Sequence, residues 1–427
     1  MKTSLMMLAL AMALPTAVAA EQAATPKVKP ELTPDKELLA KIEALPDNTW
    51  LKLPPCKTTG DMGVLSKDPD YKRAGPRVRD YCNRMVWAPE RNRALYCGGG
   101  HNIHPWNDVW EFDLAANTWV CLYGADPAPP RFGPGKEAEA VAWYKANAVV
   151  KDGVIRTPRG GPLRPCHTWW SLCYDSDRKR MLFVESHKGL FATDKAMLAK
   201  AHNLDPKDPI LQTYGSGAGE AWLLSFYPET GEWKEVLTKI PKAGESAFLE
   251  YLPDQKTLWW VSGKTYLYDA AKKEWKPVPK DGARSGGESA YDPETKKVVA
   301  MVGLQTWVFS CETNTWTLGQ ENAPDGGYVP VSTFCYDSTA KKFVLYTHLK
   351  LKDKPDAGAR LWLYDVKENK WTAPAPQGDG PKVSNVAGYY DPARNVTVPW
   401  GVPQDRARRG VSGLEGSDLY YGAGAGH

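Results

Sequence analysis

The chain lacks the short signatures by which much enzyme chemistry is first recognised. It has no G-x-S-x-G elbow for a nucleophilic serine, no H-E-x-x-H metal helix and no glycine loop shaped for phosphate. None of its 8 cysteines forms a C-x-x-C pair, which argues against a cysteine-built metal site. Beyond its first residues no apolar run approaches membrane length, so no membrane insertion is expected. Histidine is scarce, at 7 in 427 residues. The net charge of +4 is too weak to argue for a nucleic-acid partner. No motif calls for a cofactor.

Residues 1–20 read as a signal peptide, with Lys2, an apolar run from Leu5 to Leu14, Pro15 and then Ala17-Val18-Ala19-Ala20. The expectation is an exported protein, secreted or periplasmic. Eight cysteines fit an oxidising compartment, although their spacing fixes no connectivity and buried free thiols are the plainer alternative. Residues 21–47, with several Pro and Lys, are expected to be a flexible lead-in. Residues 48–421 should form one repeat domain, and 422–427 a Gly/Ala tail.

What the chain has in abundance is aromatic residues, with 18 Trp and 20 Tyr. Five tryptophans follow an aromatic at an offset of seven: Phe112 and Trp119, Phe226 and Trp233, Tyr268 and Trp275, Phe309 and Trp316, Tyr364 and Trp371. Polar stretches such as DLAANT and DVKENK separate the two members, as a tight turn between two short strands would. Another column, the first in each repeat, precedes this one, which is therefore the second. The first column centres on Trp87, Tyr174, Tyr251, Tyr291, Tyr336 and Tyr390, with Asp following Tyr at 175, 292, 337 and 391. Asp there suits a turn, because its carboxylate can bond its own backbone. Each repeat reads as four antiparallel strands, and a fixed period of this kind marks a ring or a solenoid.

The first column has six members and the second five. The missing piece sits at the other end of the chain, where Asp47-Asn48-Thr49-Trp50 matches Thr313-Asn314-Thr315-Trp316. The expected fold is all-β: a six-bladed β-propeller of four-stranded antiparallel blades, closed by an N-terminal strand around Trp50 that completes the last blade. These Tyr-Asp turns and aromatic-x6-Trp hairpins resemble the Kelch-repeat β-propellers, over nearly all of residues 48–421. Of that family's double glycine, Gly98-Gly99 is the clear copy. The resemblance implies most often a binding scaffold. Exported six-bladed members that act on sugars imply the alternative, a mutarotase or epimerase working in the central channel.

All the long insertions fall in links of one kind, between the second and third strands of a repeat or between repeats, so they share one face. They run over 51–80, 100–108, 122–166, 186–220, 347–360 and 401–417. Long loops in a compact domain are usually functional. The stretch 194–203 has the composition of a short helix. His101, His104, His167, His187 and His202 fall in or beside the insertions of the first two repeats. His101-x-x-His104 is a weak metal candidate, and no metal is expected. Arg164, His167, Trp169 and Trp170 begin a first strand and so should approach the channel. Arg and Trp together suit a sugar or a carboxylate, although a Trp packed between blades is the plainer alternative. With Arg131 and His187 they are the candidate ligand-binding residues. Arg131, Arg156, Arg159 and Arg164, with Arg406, Arg408 and Arg409, could form a basic rim. The expected partner is a glycan or a protein.

Overall fold

Each repeated Asp ends a strand and turns the chain. In the computed structural model, Asp292 Oδ1 accepts from the backbone N–H of Glu294 (2.8 Å), and Asp337 Oδ1 from those of Thr339 and Ala340 (both 2.9 Å). Asp391, Asp365 and Asp269 do the same. The hairpins then close on a left-handed residue: Lys179, Lys256, Lys296, Lys341 and Asn395 have φ between 51 and 56°. A helical-type turn ended by one left-handed residue is a common hairpin loop. The second aromatic column forms cross-strand pairs. Phe112 lies opposite Trp119, Phe226 opposite Trp233, Tyr268 opposite Trp275, Phe309 opposite Trp316 and Tyr364 opposite Trp371. Ring centroids in the five pairs are 4.9 to 5.2 Å apart, within the range where aromatic pairs stabilise a sheet.

The structure describes residues 30–423, except 77–78, 80–81, 83, 100–104, 131, 152, 164, 166–167, 186–191, 213–220, 242–246, 280–285, 304, 321–331, 349–358, 379, 381–382 and 404–417. The fold is an all-β propeller of antiparallel blades whose strands follow one another in chain order. We name each sheet by its first-column aromatic. The Tyr174 sheet holds Leu172–Asp175, Arg180–Glu185, Ala221–Tyr227 and Glu232–Ile240. The Tyr251 sheet holds Phe248–Leu252, Thr257–Val261, Thr265–Asp269 and Glu274–Pro277. The Tyr291 sheet holds Ser289–Asp292, Lys297–Val302, Gln305–Ser310 and Thr315–Leu318. The Tyr336 sheet holds Thr333–Asp337, Lys342–His348, Ala359–Asp365 and Lys370–Thr372. The Tyr390 sheet holds Val383–Asp391, Val396–Pro403 and Asp418–Ala423, and Trp50–Lys52 is its outer strand. Trp50 lies opposite Gly422, and Lys52 opposite Tyr420.

The expectation of six four-stranded blades is corrected here: five blades have four strands. The Trp87 sheet has Val86–Ala88, Arg93–Cys97, Val109–Asp113 and Thr118–Tyr123, and then a fifth strand, Lys57–Gly60, laid parallel to the fourth. The chain can approach so closely because Gly60 has φ +100° and no side chain; a Cβ there would meet the Cys121 carbonyl oxygen at 2.4 Å. The lead-in is corrected too. Within 21–47, Lys36–Glu43 is a helix capped by Asp35, whose carboxylate accepts from the Leu38 N–H at 3.0 Å. Leu38 and Ile42 are buried in the core shared by the Trp87 and Tyr390 sheets, which holds this segment in place. Residues 1–20 and 424–427 lie outside the described residues.

First strands stand beside first strands. Val86–Ala88 neighbours Leu172–Asp175, which neighbours Phe248–Leu252. Ser289–Asp292, Thr333–Asp337 and Val383–Asp391 follow in turn, and the last of these neighbours Val86–Ala88. These edges therefore face the middle, with the second aromatic column on the outer strands. The seven described cysteines form no disulfide with one another, and five of them are buried. Among the described residues no helix is long and apolar enough to cross a membrane.

Candidate functional site at the loop-bearing end of the ring

A first strand starts where the link from the previous sheet arrives, so its opening residues lie at the end that bears the insertions. Charged residues occupy those openings. Arg84, just before the first strand of the Trp87 sheet, donates Nη1 to the Leu249 carbonyl at 2.7 Å and Nη2 to the Glu250 carboxylate. Leu249 and Glu250 belong to the Tyr251 sheet, so the Arg84 side chain passes the intervening Tyr174 sheet. On the way its guanidinium lies 5.4 Å from the Trp170 ring centroid, within cation–π range. Ser289 Oγ donates to Glu250 at 2.6 Å, and the Trp170 indole N–H donates to the Ser289 carbonyl at 2.6 Å. Four sheets thus contribute to one polar cluster. Glu288 continues it into the next sheet, accepting from the Ser332 N–H at 3.2 Å.

Burial raises the pKa of the Glu250 carboxyl above its ordinary value, while the Arg84 guanidinium and the Ser289 hydroxyl pull it back. Glu185 ends the second strand of the Tyr174 sheet at this same end. Burial raises its pKa to about 8, against the pull of Arg156 and a backbone bond from Leu163. A carboxyl held near neutrality can exchange a proton at physiological pH.

Above this end, two insertions pack on each other. The first carries the helix Glu137–Asn147 and the hairpin Val149–Lys151 with Val154–Arg156. The second carries the helix Ala192–His202, which corrects the expected start at 194 by two residues, and the short helix Pro209–Gln212. Tyr144, Ile155, Leu163, Leu198 and Leu211 form their shared apolar core. The Tyr144 hydroxyl donates to Asp194 at 2.7 Å, and Lys200 pairs with Glu137 at 2.9 Å. The first insertion is fastened to the Trp87 sheet by Asp126. Its carboxylate accepts from Tyr123 and Thr157 hydroxyls (both 2.6 Å), Asn107 Nδ2 (3.0 Å) and Arg159 (2.8 Å).

Of the residues proposed from sequence, Arg131, Arg164, His167 and His187 lie outside the described residues, as do His101, His104, Arg406, Arg408 and Arg409. Trp169 is half-buried with φ 48°. Trp170 is 1% exposed and enclosed by Arg84, Ser289 and the core of the Tyr251 and Tyr291 sheets. Arg156 is buried and donates to the Lys234 carbonyl at 2.9 Å, whereas the Arg159 side chain is 49% exposed. Among the described residues no group of three His, Cys, Asp or Glu side chains is placed to hold a metal.

Arg84, Glu250 and Glu288 were not singled out from sequence, although a signal was present. The residue before each first-column aromatic is Val86, Cys173, Glu250, Ala290, Cys335 or Tyr389, so Glu250 is the one charge in that column. Three places before the aromatic stand Arg84, Ser171, Phe248, Glu288, Thr333 and Ala387.

No family model matches the chain, and no curated protein matches it. Solved structures do. One is an auxiliary nutrient binding protein from Bacteroides thetaiotaomicron, 11% identical over 88% of this chain and 76% of that one, with a TM-score of 0.47. Another is an oligogalacturonate lyase in complex with manganese, 12% identical over 79% and 76%, with a TM-score of 0.40. The propeller assignment itself rests on the sheets described above.

Proposed function

We propose that this chain is an exported, Kelch-like propeller that binds a glycan or a partner protein at the loop-bearing end of its ring. The five-stranded Trp87 sheet takes a blade's place in that ring, and the pairing of Trp50–Lys52 with Asp418–Ala423 is the latch. One observation carries the binding reading: Arg84, Trp170, Glu250 and Ser289, from four sheets, meet on the innermost strands. Convergent polar groups beside an aromatic suit a polyhydroxylated ligand. Trp169, with Arg164 and His167 at the same strand start, adds candidate contacts; Arg131 and His187 are candidates from the two insertions.

The test is titration calorimetry of the purified protein with a panel of free oligosaccharides, alongside a pull-down from the native host. Because removing Arg84 alone would strand a buried carboxylate, the variant is the pair Arg84→Met with Glu250→Gln. Affinity for the bound sugar or captured protein should fall at least about tenfold, a loss of roughly 1.4 kcal/mol. Binding that this pair, Trp169→Ala and His167→Ala all leave unchanged would remove the site from this end of the ring.

A second reading is supported by Glu185 and Glu250, two buried carboxyls with raised pKa values at the same end. It is a sugar isomerase of the mutarotase or epimerase type, which needs acid–base groups and no cofactor. NMR of anomer interconversion on the same sugars tests it; a rate equal to buffer alone for every sugar rejects it.

A further inference from the structure

A cavity of about 300 Å³ opens between the Trp87 and Tyr174 sheets, along the outer edge of the Trp87 sheet. Several separate parts of the chain wall it, the outer edge of the Trp87 sheet at Val120, Cys121 and Leu122 among them. Thr59, Gly60 and Asp61 come from the strand laid parallel to the outer edge of the Trp87 sheet and the residue after it. Arg91 and Arg159 come from a hairpin turn and from the first insertion. Pro228 and Gly231 come from a hairpin turn of the Tyr174 sheet. The volume is at the small end for a ligand pocket, about the room a molecule of ten or so heavy atoms needs.

Charges of both signs border it. The Arg159 guanidinium is 4.1 Å from the Tyr123 ring centroid. Among the described residues it makes two hydrogen bonds, to the Gly124 carbonyl and Asp126, both from Nη1. This stacked cation is therefore held in place with its other nitrogens still able to donate. Asp61 is exposed, and among the described residues only its Oδ1 is engaged, by the Gly63 N–H at 2.9 Å. Arg91 is held by both oxygens of buried Glu111, and its Nη1 reaches Glu229, a side chain 63% exposed. A fixed cation and an open carboxylate on one small cavity suit a ligand that carries both charges.

We propose that this cavity is a binding site for a small zwitterion, a free amino acid or dipeptide, with its carboxylate on Arg159 and its ammonium on Asp61. The site is independent of the glycan or protein reading at the loop-bearing end.

The experiment is titration calorimetry of the full protein at low salt with the common amino acids and a set of dipeptides. At least one should bind, and N-acetylation or C-terminal amidation of that ligand should each abolish the heat. Asp61→Asn should weaken binding of the free ligand about tenfold, as loss of one charge-assisted contact does. Arg159→Gln should weaken it similarly; Arg159→Lys, which keeps the charge, should restore part of the loss and control for an insertion loosened from Asp126. No heat from any of these compounds at millimolar concentration overturns the proposal. So does binding that both blocked forms retain, or that Asp61→Asn leaves unchanged. Any sugar or partner binding at the loop-bearing end should be untouched by Asp61→Asn, so the two sites fail separately.

Discussion

The two halves of the ring solve the same packing problem differently. In the Tyr251, Tyr291 and Tyr336 sheets the described hairpins are short, and one apolar cluster runs through all three. There the outer tryptophans reach the sheet before them. Trp316 Nε1 donates to Thr265 Oγ1 and Trp371 Nε1 to Thr306 Oγ1, both at 2.8 Å. Each threonine stands three places before the aromatic of its own hairpin, Tyr268 or Phe309. In the Trp87 and Tyr174 sheets that place holds Val109 and Leu223, which offer no acceptor. Trp233 and Trp275, which would use them, are buried at Nε1 without a partner among the described residues. This half is held by charge instead: Arg91 and Arg93 share Glu111, Arg93 also binds Asp113, and Asp126 gathers four donors. The bare half is a repeating apolar solution; the decorated half carries the insertions and spends polar groups on fastening them.

The largest test of that contrast is Trp259→Ala in the bare half. Trp259 is fully buried, with Phe248, Phe309 and Trp316 at 5.5 to 6.2 Å, so the loss should be about 3–5 kcal/mol, read as a lower global denaturation midpoint. Leu198→Ala, equally buried but in the cap, should cost about 2–4 kcal/mol. Hydrogen exchange should rise only in Glu137–Asn147 and Ala192–His202 if the cap is a separate unit; uniform deprotection would merge it with the ring.

Glu185 gives a pH test at the junction. Its folded pKa of about 8 stands above the ordinary value of 4.5, so the folded state holds the proton more tightly. Its contribution to stability is complete below the ordinary value and is lost as pH rises through about 8. Stability should drop by about 2 kcal/mol from about pH 6 to about pH 8, and Glu185→Gln, which mimics the protonated form, should flatten that slope. A parallel profile in the variant would assign the slope to other groups. The smallest effect is Thr306→Val, about 1 kcal/mol for one lost buried hydrogen bond, together with a shift in Trp371 emission. A midpoint unchanged by Thr306→Val would mean that the bare half owes nothing to its indole bonds.

How much of this was legible follows from what repeats. The hairpins were readable because every copy obeys the same local rules, such as Asp292 turning the chain and Phe309 facing Trp316. Trp50 keeps the Asn-Thr-Trp signature of the outer tryptophans, and it lies opposite Gly422. The parallel strand Lys57–Gly60 was not: K-T-T-G belongs to no column, and its position depends on a glycine lying flush against Cys121. The helix Lys36–Glu43 hid in a segment whose Pro and Lys suggested solvent, because its two apolar residues gain a core only once distant sheets have met. Trp170 illustrates the same limit at the site. Its aromatic face was visible as chemistry, but its enclosure by Arg84 and Ser289, from repeats on either side, was not.

The amino-acid order alone determined the antiparallel hairpins and the turns that close them, because strand pairing and turn chemistry are local and recur. Only the tertiary structure decided which charges meet. Arg84 and Glu250 are separated by 166 positions in the chain and become neighbours only where the innermost strands draw together. Burial, which no local pattern encodes, then raises the pKa of Glu250 and of Glu185.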